Sequence, residues 1–297
     1  MSDIEIDEPI VWINGTFRPE RAGALPFSDL GMQGIAITEM LRTFRQKLFA
    51  VERHLARLSH GLKILGWSND VDLAALTSAL HEVTANNLAF YPNGSELGTV
   101  VFVTGGPNLS YLGPVEVKRT VAVHTFLMRD EQWAKARTQG VHLTVPSTKQ
   151  LPTDCLDPTI KYRSRLHWYI ADQQAHATNS GSRALLTDLQ GRVTETSTGN
   201  IFMVHQGIVV TPPKELVLGG ISRDITIELC HEQGIRTEEK PFSVLDLEAA
   251  DEAFITSTPY GLLPVTTVNH HPIGLNLPGP ITTRLLEQWN TLQNPKQ

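Results

Sequence analysis

Apolar and polar positions change rhythm several times along the 297-residue chain. Ile10-Val11-Trp12-Ile13 is β-rich, Asn14-Gly15 suits a tight turn, and Thr16-Phe17-Arg18-Pro19 returns, so a hairpin is expected. Glu39 to Phe44 and Leu48 to Val51, on either side of Arg45-Gln46-Lys47, predict a second hairpin. The period then lengthens. Leu55, Leu58, Leu62 and Leu65 recur at helical spacing and Gly66 follows as a stop. Leu73, Leu76, Leu80 and Val83 mark another amphipathic helix over 70–86. Residues 98–104 and 119–127 read as strands, which makes the whole stretch one α+β unit.

Residues 129–140 are polar and carry no long apolar run, so they are expected to connect an N-terminal domain, 1–128, to a C-terminal one, 141–297. Downstream, His142 to Val145 reads as a strand and a long helix is expected from Lys161 to about Asn179. Strands follow at 183–188, 192–195, 200–204 and 208–211, with Gly191 and Gly207 at turns. Ser222 to Gln233 is a helix closed by Gly234. Strands at 236–240 and 253–257 and a last helix at 280–290 complete the pattern, with a chain turn at Pro259-Tyr260-Gly261.

Composition narrows the class. Hydrophobic residues are 41% and charged residues 19%, a globular balance with material for a core. A net charge of −6 gives no basic footprint for nucleic acid. The start, MSDIEIDEPI, does not read as a secretory signal. Apolar runs such as residues 99–103 are far short of the ~20 residues of a membrane helix. Cys155 and Cys230 are too few for a disulfide framework. The expectation is a cytoplasmic protein.

Four segments could carry chemistry. At a helix N-terminus, beside Arg163 and Arg165, Lys161 would face positive charge that favours its free amine, the form that makes Schiff bases; the plainer alternative is a surface lysine. Gly219-Gly220-Ile221-Ser222-Arg223-Asp224 opens a helix with a glycine pair and a hydroxyl, either a phosphate cup or a simple cap. Glu195 lies among small hydroxyl residues, where it could meet a protonated ring nitrogen or belong to a polar turn. Thr256-Ser257-Thr258 ends a strand and could add phosphate ligands. His54, His60, His270 and His271 lack the spacing of a metal pair and are expected at the surface.

In order and spacing, these blocks resemble the fold-type IV pyridoxal-phosphate enzymes, which include branched-chain and D-amino-acid aminotransferases and aminodeoxychorismate lyases. The resemblance runs from Trp12-Ile13-Asn14-Gly15 to Leu263-Pro264-Val265 and rests on Glu52 to Leu58, Lys161, Val193 to Phe202, and Gly220 to Asp224. It implies a two-domain α+β fold, a smaller N-terminal α/β domain and a larger β-rich one. It implies pyridoxal 5'-phosphate as cofactor, amino and keto acids as substrates, and a homodimer. By the same resemblance Lys161 is the Schiff-base lysine and Glu195 the partner of the ring nitrogen. Arg57, Ile221, Ser222, Ser257 and Thr258 hold the phosphate.

The chain departs from the family at the substrate side. Thr38 stands where an aromatic is usual, and Val103-Thr104-Gly105-Gly106 lacks the arginine of the D-amino-acid enzymes. Leu166 replaces a tyrosine common in branched-chain enzymes, and Lys161-x-x-x-Arg165-Leu166 is similar to the lyase pattern. On a helix Arg165 would share a face with Lys161 and could hold a substrate carboxylate. An aminotransferase is expected, with the lyase or a non-catalytic binding protein as alternatives.

Overall fold

The computed structural model describes residues 8–275 and 278–293. The chain divides into two compact units, Met1–Met128 with Ile160–Ser164, and Arg129–Thr159 with Arg165–Gln297. Among the described residues no helix is long and apolar enough to cross a membrane.

The first unit holds strands β1 (Ile10–Ile13), β2 (Thr16–Pro19), β3 (Ala36–Phe44), β4 (Lys47–Leu48), β5 (Leu97–Thr104) and β6 (Val121–Leu127). They form an antiparallel sheet in the order β2-β1-β6-β5-β3-β4. Helices α1 (Val51–Ile64) and α2 (Leu73–Leu88) pack on it, and α3 (Leu109–Leu112) is a single turn. Side chains alternate along a strand. One face therefore carries Ile37, Leu41, Val101, Val103, Val121 and Val123, which bury against Leu58 and Leu62 of α1 and Leu76, Leu80 and Val83 of α2. The opposite face carries Ala36, Thr38, Met40, Phe102 and His124.

Residues 160–164 rejoin this unit as an extended piece beside β3. The Thr38 N–H donates to the Lys161 carbonyl (3.0 Å), the Arg163 N–H donates to the Ala36 carbonyl (2.8 Å), and Tyr162 lies opposite Ile37. The helix expected to begin at Lys161 begins instead at Leu166. The backbone groups that an α-helix would use at 161 and 163 are spent on the sheet. The Ser164 hydroxyl donates to the Gly34 carbonyl at 2.7 Å. Gly34 has φ 77°, and a Cβ there would meet the Ser164 oxygen at 3.1 Å.

The second unit contains α4 (Glu131–Gln139), β7 (Val141–Thr144), α5 (Leu166–Thr178), β8 (Arg183–Thr187), β9 (Val193–Thr196), β10 (Gly199–His205), β11 (Ile208–Thr211), α6 (Ile221–Glu232), β12 (Thr237–Glu239), α7 (Val244–Glu248), β13 (Glu252–Ser257), β14 (Gly261–Val268), β15 (His271–Pro272) and α8 (Pro280–Gln293). The sheet runs β12-β11-β10-β13-β14-β7-β8-β9, and β9 also pairs with β10. That last pairing closes six strands into a barrel around Leu143, Leu185, Val193, Ile201, Ile255, Leu263 and Val265.

Within the polar segment 129–140, Glu131–Gln139 form helix α4, which belongs to the second unit with Trp133 and Ala136 against the barrel core. Two apolar positions three apart are too weak a stripe to read from sequence. Strand β14 is likewise hidden in the pattern, because Pro264 reads as a breaker; it sits opposite Phe254 inside the strand.

Replacing Gly34 by alanine should destabilise the first unit by about 1–2 kcal/mol, the cost of left-handed backbone in an L-residue. Urea unfolding of Gly34→Ala measures this; an unchanged midpoint would mean that the turn relaxes freely.

Candidate active site

In the first unit a charged cluster is buried beneath β3. Glu39 is on the helix-packed face and 1% exposed. Arg57 of α1 grips it at two points, Nε to Oε1 at 2.8 Å and Nη2 to Oε2 at 2.7 Å. His54, one turn earlier, places Nδ1 2.7 Å from Oε2. Burial alone would raise the Glu39 carboxyl, but the Arg57 and His54 contacts outweigh it and hold it at about 2. Burial lowers His54, against the pull of Glu39. Glu39 is therefore the anion and His54 the neutral donor through Nδ1–H. His54, expected at the surface, is 1% exposed; it turns inward because Glu39 needs a second donor.

Lys161 lies on the extended segment across from Thr38. Ile160 and Tyr162 face the helices, Ile160 meeting the α1 turn at Gly61. Strand alternation therefore turns Lys161 to the other face. The Thr38 hydroxyl is engaged with the Val101 carbonyl at 2.7 Å, so its polar atom is committed to the sheet.

The second unit carries the other residues. Glu195 in β9 is 8% exposed. Its Oε1 accepts from Gln150 Nε2 at 3.1 Å, and its Oε2 from the Leu218 N–H at 3.3 Å. The Leu218 carbonyl in turn accepts from Asn200 Nδ2 at 2.8 Å. Leu218 thus fixes both a buried carboxylate and the approach to α6, which begins three residues on. Gly220 caps α6 without a side-chain bond, and a Cβ there would meet Asn200 Oδ1 at 2.1 Å. Ile221 and Ser222 open the helix, both buried, where free N–H groups and the dipole favour an anion. Ser257 Oγ donates to the Thr198 carbonyl at 2.5 Å, while Thr258 is half-buried in the turn after β13. Gln150 Oε1 and Thr256 Oγ1 are buried without a protein partner.

A buried carboxylate, a glycine-led helix N-terminus and orphaned buried oxygens are chemically suited to a protonated ring that carries a phosphate.

Arg165 does not share a helix face with Lys161. It stands at the N-cap of α5, its guanidinium bonded to the Ser197 carbonyl and 5.6 Å from the Trp168 ring centroid. Glu39, His54 and Gln150 are functional candidates that sequence reasoning misses. An acidic residue on the buried face of Ile37-x-Glu39-x-Leu41, with His54 and Arg57 three apart on a helix, is the available signal; Gln150 leaves none.

Residues 36–268 match the class IV amino-transferase family. The chain belongs to the class IV aminotransferases. It is 30% identical over 277 residues to the D-alanine aminotransferase of Bacillus licheniformis, covering 92% of this chain and 93% of that one. It is 28% identical over 285 residues to a putative branched-chain-amino-acid aminotransferase of Methanocaldococcus jannaschii, covering 95% and 96%. Its fold is that of the Escherichia coli branched-chain amino acid aminotransferase, with a TM-score of 0.86, 23% identity and 96% and 94% of the chains covered. The α+β expectation holds, and the enzyme is a pyridoxal-phosphate-dependent aminotransferase that moves an amino group between an amino acid and a 2-oxo acid. The lyase is not favoured.

The buried cluster makes stability depend on acid. An unfolded histidine takes a proton below about pH 6.5, whereas His54 in the fold resists it, so stability falls as pH drops below that value. Glu39 adds a second loss between its ordinary 4.5 and about 2. Denaturant midpoints against pH should show the first loss weakened in His54→Gln; an identical profile would remove His54 from the account.

Proposed function

We propose that Lys161 is the amine that would hold the cofactor and that its free amine would remove the proton from the substrate Cα and return it. Bound pyridoxal phosphate supplies an aldehyde for the amino group and an electron-withdrawing ring. Glu195 accepts the proton-bearing ring nitrogen and keeps that proton in place. Gln150 and the Leu218 N–H aim its carboxylate. The N–H groups of Ile221 and Ser222, the Ser222 hydroxyl, Thr258 and Arg57 take the phosphate. Ser257, whose hydroxyl is committed to Thr198, positions Thr258. Glu39 holds the Arg57 fork, so the guanidinium does not have to be ordered when phosphate arrives. The observation that supports this reading best is Leu218, which ties the carboxylate to the anion-binding helix end.

The substrates are an amino acid and a 2-oxo acid. The relatives include both D-alanine and branched-chain enzymes, so the side chain and its hand are read by experiment. We propose a cytoplasmic homodimer. Support comes from residues 109–117 of the first unit, where Leu109, Tyr111, Leu112, Val115 and Val117 are all exposed, an apolar stretch suited to burial against a second copy.

Glu195→Gln should retain cofactor but turn over slowly, because an amide cannot hold a proton on the ring nitrogen by charge. Stopped-flow half-reactions with panels of L- and D-amino acids read both the hand of the substrate and the loss. A drop of roughly a hundredfold is expected, about 2.7 kcal/mol. Wild-type rates at full cofactor occupancy would reduce Glu195 to a turn residue.

A further inference from the structure

Arg163 is left without a role by everything above. It is two residues from Lys161 on the extended segment, so strand alternation places both side chains on the sheet face away from the helices. Its N–H is fixed to the Ala36 carbonyl at 2.8 Å. The guanidinium carbon lies 5.7 Å from the ring centroid of Phe102, the residue opposite Thr38. Arg163 is exposed and, among the described residues, has no carboxylate and no hydrogen-bond acceptor on its guanidinium. The neighbouring His124 is lowered by burial and, further, by Arg163 itself, so it stays neutral and places no second positive charge beside the guanidinium. Two small residues, Ala36 and Thr38, flank the pair. Their short side chains lie on the same sheet face as Phe102.

We infer that Arg163 is the specificity residue that receives a carboxylate of the amino-acid or oxo-acid substrate. This rests on the assignment of Lys161 as the reactive amine. An arginine suits the task because its planar fork binds a carboxylate bidentately. Stacking on Phe102 restricts the side chain before substrate binds. Lys161 and Arg163 then address two parts of one small molecule, the Cα–H and the carboxylate. The role expected of Arg165 from the sequence passes to Arg163, because Arg165 is bonded to Ser197 and Arg163 is not engaged. The enzyme should prefer carboxylated amines over simple ones.

The test compares wild type, Arg163→Leu and Arg163→Lys as holoenzymes. KM and kcat are measured for pyruvate, 2-oxoglutarate and the oxo acid of leucine, and cofactor absorbance and thermal midpoint are recorded for each protein. For every oxo acid that the wild type accepts, KM should rise about tenfold or more in the leucine variant, the usual cost of a lost charge-assisted bond. The lysine variant should recover part of it, and absorbance and midpoint should stay as in wild type. An unchanged KM in an active, cofactor-loaded leucine variant would overturn the inference. So would an equal loss in the lysine and leucine variants. If the wild type loads no cofactor and accepts no oxo acid, the underlying assignment of the reaction fails instead, and the two failures are told apart.

Discussion

Two backbone hydrogen bonds, between Thr38 and Lys161 and between Arg163 and Ala36, decide what the first unit can do. They draw a five-residue piece from the middle of the chain onto the edge of a sheet built from the first 128 residues. Once paired, the piece obeys the sheet's alternation. Ile160 and Tyr162 sink toward the helices, and Lys161 and Arg163 are turned to the other side. Gly34 and Ser164 close the end of the pairing, in a place where a side chain on residue 34 would crowd the serine. The chemistry assigned to Lys161 depends on this placement, since a lysine within a helix would have no fixed relation to Thr38.

Charge is handled differently in the two units. Glu39 is buried as an anion, and an isolated carboxylate there would cost several kcal/mol. The Arg57 fork and the His54 N–H meet that cost, so cluster and helix α1 stand or fall together. Glu195 accepts from the Gln150 amide and from the Leu218 backbone N–H. A carboxylate held by neutral donors keeps its negative charge available for a cation, which is what a protonated ring nitrogen requires.

Much of the architecture is legible in the chain. The Asn14-Gly15 hairpin, the leucine stripes of α1 and α2 and the strand-and-turn rhythm from residue 183 to 211 announce themselves through period and turn chemistry. Segments ruled by tertiary pairing are not legible. Residues 161–165 carry no pattern that separates a first helical turn from an extended strand partner, and the helix expected there begins five residues later. Pro264 hides a central strand, and α4 shows only two core-facing residues. The residues proposed for the site, Lys161, Glu195 and Gly220-Ile221-Ser222, stand out in the sequence through distinctive types in distinctive order. Gln150 and Arg163 acquire meaning only from what folding puts beside them.

The central claim is that Lys161, fixed on the edge of β3, is the amine that holds the cofactor. Borohydride reduction of the pyridoxal-phosphate-loaded protein, followed by digestion and mass spectrometry, tests it directly. The account predicts one phosphopyridoxyl group per chain, on the peptide containing Lys161. A modification on Lys149 or any other lysine, or loaded protein with no covalent label, would contradict it.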